Sequence, residues 1–148
     1  MTAVSVSRFE GAGSEWDDFV RLQAGWTHFH LSGWRTVIER VFGHECPYLA
    51  ARDPESGRLV AVLPLVRVRS IVFGHYLVSM PFLNYGGPLG APEGIRALVA
   101  EAVALASRTR VKLLELRSRT ALPIDPAVNG LPLGAITVAP PTFNPKEQ

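Results

Sequence analysis

The chain has 148 residues, 47% of them hydrophobic and 19% charged, with a net charge of +2 at neutral pH. That length suits one domain able to bury roughly two-thirds of the surface its unfolded chain would expose, and the composition is too apolar for a disordered chain. Thirteen of the fifteen basic residues are scattered arginines, not interleaved with the aromatic ones, which argues against a nucleic-acid platform and leaves no expectation of DNA as a partner.

The single cysteine, Cys46, has no partner for an internal disulfide, which points to a reducing compartment. His44-Glu45-Cys46 lacks the repeated spacing of a structural zinc site, so no metal is expected and a loop before a strand is the reading. No run approaches the roughly 18 apolar residues of a spanning helix, and the N-terminus lacks a basic region followed by an apolar core. The expectation is a cytoplasmic protein without a transmembrane segment.

In chain order, Val4 and Val6 open a short first strand that ends at Gly11-Ala12-Gly13. Ser14 and Asp17 form a capping-box-like Ser-x-x-Asp at the start of a helix whose apolar face is Trp16, Phe19 and Val20. A second helix follows, in which Leu31, Trp34, Val37, Ile38 and Val41 recur at three- and four-residue steps and Gly43 supplies the C-terminal cap. Trp34 falls on that stripe and reads as core.

Pro47 to Asp53 reads as a strand, Asp53-Pro54-Glu55-Ser56-Gly57 as its turn and Arg58 to Arg69 as the return strand. Both faces of the return strand are apolar until the arginines, so it is covered on two sides before it reaches solvent. Pro64 removes a ladder donor and predicts a bulge or local edge. Ser70 to Tyr76 fits a short strand or loop, and Leu77 to Phe82 the next strand. Ile95, Leu98, Val99, Ala102, Leu105 and Ala106 mark an amphipathic helix from Glu93 to about Arg108, and Val111 to Arg117 a last strand. Six of the twelve prolines lie between Pro123 and Pro145, so residues 120–148 are expected to form an extended, partly disordered tail.

The chain is organised around Leu77 to Gly90. Here an apolar strand, interrupted near its end by Pro81, runs into Tyr85-Gly86-Gly87 and then into a helix that Pro92 starts. Splayed strand ends make clefts, and a glycine turn before a helix forms either a tight connection with no ligand or an oxyanion or phosphate cradle. A helix joining two strands makes those two parallel within an otherwise antiparallel sheet. The expected fold class is therefore α/β of the α+β kind: a mixed, mostly antiparallel sheet flanked by helices.

That order resembles the GNAT (acyl-CoA N-acyltransferase) fold, in which acyl-CoA sits where two parallel central strands splay apart. His30, Gly33-Trp34, Val37-Ile38, Phe42-Gly43-His44, Tyr48-Leu49, Leu63-Pro64-Leu65, Phe73-Gly74, Ser79-Met80-Pro81-Phe82 and Tyr85-Gly86-Gly87 are similar to the N-terminal part of FemAB-type transferases, most of all to the FemAB-related proteins associated with PEP-CTERM/exosortase systems. The resemblance covers roughly Trp16 to Arg117. It implies a GNAT-like half-domain over residues 1–119, and transfer of an acyl or aminoacyl group to an amine in cell-wall, peptidoglycan or exopolysaccharide metabolism. Acyl-CoA or aminoacyl-tRNA would be the donor and a small-molecule or cell-wall precursor the acceptor. Family members carry two GNAT-like halves, so a second half or a homodimer is the implied partner. The turn from Asn84 to Gly90 lacks the Gln/Arg-x-x-Gly-x-Gly/Ala pattern with which acetyl-CoA-using GNAT enzymes hold pyrophosphate.

Acyl transfer to an amine needs a route for the amine proton, donors for the oxyanion and an acid for the leaving group. Tyr85 with the amides of Gly86 and Gly87 fits the acid and the donors; a tyrosine anchoring a sheet edge fits the same residues. His30 fits a base, or a helix start hydrogen-bonded to a loop carbonyl. Ser79 and Asn84 complete the expected cleft. Arg117, at the end of the last strand, fits a phosphate or carboxylate grip or a solvated charge. Beside the transferase reading stand a non-catalytic interaction module and an inactive remnant of a two-domain transferase.

Overall fold

A computed structural model describes residues 3–72, 74–80, 86–118 and 122, and the backbone of 136–139. The elements are β1 (Ser5–Arg8), α1 (Gly13–Arg21), a 3-10 turn (His28–His30), α2 (Gly33–Val37) continued by a π-helical turn (Ile38–Phe42), β2 (Leu49–Arg52), β3 (Leu59–Leu63), β4 (Val66–Ser70), β5 (Gly74–Val78), β6 (Leu89–Gly90), α3 (Pro92–Thr109), β7 (Leu113–Arg117) and β8 (Ile136–Ala139). The fold is mixed α/β, with one antiparallel and one mixed sheet.

The first sheet has the order β1-β2-β3-β6, antiparallel throughout. In the second, of order β4-β5-β7-β8, β4 is antiparallel to β5 while β5, β7 and β8 run parallel. The strand expected over residues 58–69 is interrupted at Pro64-Leu65, where the chain leaves β2 as partner and takes up β5. Pro64 cannot donate to a ladder, which is why the change of sheet falls there. The helix-linked pair β5 and β7 is parallel, as a crossover requires.

Alternation sorts the strands into two apolar layers. Leu49, Ala51, Ala61, Leu63, Leu77 and Leu114 pack beneath Leu98, Val99, Ala102 and Ala106 of α3. Tyr48, Ala50, Val62 and Val66 face the other way, toward Trp16, Val20 and Ile38. This two-sided cover is what an apolar strand on both faces demands.

Several local expectations are corrected. α1 starts on Ala12 with no side-chain cap; Asp17 instead accepts the Ser32 N–H at 2.7 Å and its hydroxyl at 3.0 Å, tying α1 to the start of α2. The second helix does end at Gly43, whose φ of 67° suits a residue without a Cβ. Its stripe is narrower than expected: Ile38 alone is buried, Val37 and Val41 are exposed, and Trp34 is half-buried at the margin of the core. The π-helical turn widens the spiral and rotates later residues off the core face. β5 starts at Gly74 and its strand ends at Val78, ahead of Met80, whose φ of 54° turns the chain out of the extended conformation; the part of the expected strand from Pro81 on lies outside the described residues. Apart from these corrections, Ile136–Ala139 forms the strand β8, paired with β7.

Candidate functional site

Five of the residues singled out in the sequence, His30, Ser79, Gly86, Gly87 and Arg117, converge where β5 ends beside β7. Asn84 and Tyr85 lie outside the described residues, as do Pro81 and Phe82. The regular ladder stops at the pair Val78 and Glu115. Ser79 N–H still donates to the Glu115 carbonyl at 2.9 Å, but the next bond is made by a side chain: the Arg117 N–H donates to Ser79 Oγ at 2.7 Å. The chain then returns, and Gly86 N–H donates to the Arg117 carbonyl at 3.1 Å. A serine hydroxyl thus stands in for a backbone carbonyl at the place where the two strands part.

The Gly86-Gly87 pair is required by close approach rather than by an open cradle. A Cβ at Gly87 would lie 2.8 Å from the Arg117 carbonyl oxygen and 2.8 Å from Ser118 Cα. One at Gly86 would run into the Met80 side chain. Only glycine lets the returning chain lie this close to β7.

His30 comes to the same place from the other side of the chain. Its exposure is 2%, and Nδ1 accepts the Thr27 N–H at 3.1 Å, which fixes the lone pair on Nδ1 and the proton on Nε2. The Nε2–H then donates to the Gly87 carbonyl at 3.0 Å, across 57 positions of sequence. The Thr27 hydroxyl and the His30 ring together form a capping box on the 3-10 turn. Trp16, read in the sequence only as apolar, donates its indole N–H to the His30 carbonyl at 2.8 Å. His30, the last residue of the 3-10 turn, therefore caps its start with the ring and holds the Gly87 carbonyl.

Arg117 is half-buried, and its Nε lies 2.5 Å from a Glu115 carboxylate oxygen. Behind the locus, the buried Tyr48 donates its hydroxyl to Met80 Sδ at 3.3 Å, and burial pushes its pKa above the ordinary phenol range. Burial likewise pushes the Cys46 thiol up to about 12, with Glu39 adding to it, so this cysteine stays protonated and is a poor nucleophile. Among the described residues no group of three or more His, Cys, Asp or Glu could hold a metal ion, and no helix is long and apolar enough to cross a membrane.

Sequence reasoning passed over Thr27, Glu115 and Ser118, and gave Met80 no role of its own, though all four complete this locus. Thr27-x-x-His30 has the spacing of a capping box with a histidine in the position usually held by Glu or Gln, and that substitution hides the signal. No protein-family model and no curated protein matches the chain.

Proposed function

We propose that this chain is a GNAT-like half-domain of FemAB type that takes part in transferring an acyl or aminoacyl group to an amine. The observation that carries the reading is the parallel pair β5 and β7, joined by α3, whose backbone ladder gives way at Ser79-Met80 beside Gly86-Gly87. Parting of two central parallel strands is the feature such a fold uses to admit a donor. In this reading the donor, acyl-CoA or aminoacyl-tRNA, approaches where Gly86 meets the end of β7. Tyr85 supplies the acid, while His30 positions Gly87 and Ser79 positions the end of β7.

A thermal-shift titration of the chain with acetyl-CoA, longer acyl-CoAs and an aminoacyl-tRNA mimic tests this. A saturable rise in Tm with one donor class, abolished by Tyr85→Phe while the variant keeps its own Tm, is the expected result. A cooperative transition that none of these donors moves would overturn the reading.

A second reading, a non-catalytic interaction module, is favoured by one observation: the polar groups described at the locus are spent on each other. Gly86 N–H, Ser79 Oγ and both nitrogens of His30 already have protein partners. On the face of β4, β5 and β7 away from α3, Val68, Tyr76, Val78, Leu113 and Glu115 line an open groove of about 250 Å³ that suits a partner half. This reading expects concentration-dependent dimers in sedimentation velocity, and strictly monomeric behaviour would count against it.

A further inference from the structure

The opposite end of β5 and β7 carries a different surface. The β4–β5 hairpin pairs Arg69 with His75 and Ser70 with Gly74, and beyond Ser70 the side chains of Ile71 and Val72 are almost wholly exposed. Two adjacent β-branched aliphatics at a hairpin tip thus lie almost wholly in water, with little packing against the described residues. A lone exposed aliphatic residue is ordinary, but these two border a cluster of charge.

That cluster is a cleft of about 390 Å³ whose walls include Arg69, Ile71, His75, Arg110 and Lys112, with no acidic residue among the described residues. Arg110 caps α3 at φ 55°, and Lys112 is set against the hairpin by its N–H, which donates to the His75 carbonyl at 2.8 Å. The Lys112 side chain crosses the face of Gly74, where a Cβ would lie 3.2 Å from Nζ. Among the described residues, Arg69, Arg110 and Lys112 form no ion pair, whereas Arg8, Arg52, Arg67, Arg108 and Arg117 all do. Cations gathered in a concave wall without carboxylates attract an anion, and the apolar tip beside them needs a low-polarity phase.

We propose that the β4–β5 hairpin docks this protein on an anionic phospholipid bilayer, with Ile71 and Val72 entering the boundary between headgroups and acyl chains and a headgroup phosphate seated among Arg69, Arg110 and Lys112. An anionic bilayer supplies both complements side by side. Insertion of apolar side chains together with attraction to acidic lipids is how peripheral proteins hold to a membrane surface. The tip and cleft lie at the N-terminal ends of β5 and β7, away from Ser79 and Gly86, so docking is separable from donor binding.

Cosedimentation with vesicles of phosphatidylglycerol and phosphatidylcholine, against pure phosphatidylcholine, tests it. The expected result is binding to the anionic vesicles alone, weakened at least about 10-fold by Ile71→Ser with Val72→Ser and by Arg110→Glu with Lys112→Glu, and weakened by salt. The tip pair lies in solvent, so its double variant keeps the parent Tm and reports on docking rather than folding. Absence of binding to the anionic vesicles overturns the proposal, as does binding that the tip substitutions leave unchanged. Saturable binding of inorganic phosphate with no vesicle binding also overturns it and makes the cleft a site for a dissolved anion. Self-association without lipid, lost in the tip variant, would instead assign the aliphatic pair to a second copy of the chain.

Discussion

The two ends of the β5–β7 pair solve the same problem in opposite ways. At the C-terminal end the strands part, and the polar groups described there are matched within the chain: Ser79 to Arg117, Gly86 to Arg117, His30 to Gly87 and to Thr27, and the Arg117 guanidinium to Glu115. At the N-terminal end, Arg69, Arg110 and Lys112 face a cleft without carboxylates, beside an aliphatic tip left in water. The closed end contributes stability because burial makes each lost bond costly. The open end contributes little to stability and is available to a partner.

If that contrast holds, substitutions at the closed end should unfold the chain while those at the open end should not. Trp16→Ala removes a wholly buried indole and the donor to the His30 carbonyl, and should cost about 4 kcal/mol by urea denaturation. Gly87→Ala forces a Cβ against Arg117 and Ser118; a loss of about 2 kcal/mol is expected, and a loss under about 0.5 kcal/mol would show that the returning chain is not held there. Ser79→Ala leaves the Arg117 N–H without its acceptor and should cost about 1.5 kcal/mol, with faster exchange of that amide in hydrogen-exchange spectra.

His75 sharpens the comparison by pH. Burial, with the Arg67 and Arg69 charges, holds its pKa below the ordinary imidazole range. The unfolded chain therefore binds the proton first, and stability should fall as pH drops through the ordinary histidine value, levelling off below the folded one. His75→Gln should flatten that part of the urea-midpoint profile, and an unchanged profile would exclude His75 as its source. The smallest effect is expected from Arg110→Ser with Lys112→Ser, within about 0.5 kcal/mol of the parent, as for surface changes away from special features. A larger loss would mean that these cations have a structural task.

Periodicity made the architecture readable. The Ile95 to Ala106 stripe gives α3, and the apolar runs on either side of it give β5 and β7, so the parallel crossover follows from the sequence. The same residues also marked where the chain converges, since His30, Ser79, Gly86, Gly87 and Arg117 do meet. Their bonding was not legible. A serine reads the same whether its hydroxyl faces a substrate or an amide 38 positions away, and a histidine in a capping box looks like a base. Ser14 was misread because the capping pattern is local, whereas Asp17 finds its partner across the chain in Ser32. The hairpin's cleft was hidden because Arg69, Arg110 and Lys112 are apart in sequence and only the antiparallel return of β4 and the end of α3 assemble them.

The run from Leu59 to Ser70 belongs to both sheets, pairing with β2 before Pro64 and with β5 after Leu65. Two sheets threaded on one strand have no independent melting unit: pulling β3 out of the first strips β4 from the second. Slow-exchanging amides of Val62 and Val68 should then open in the same global event, giving a single calorimetric transition for the halves on either side of Pro64.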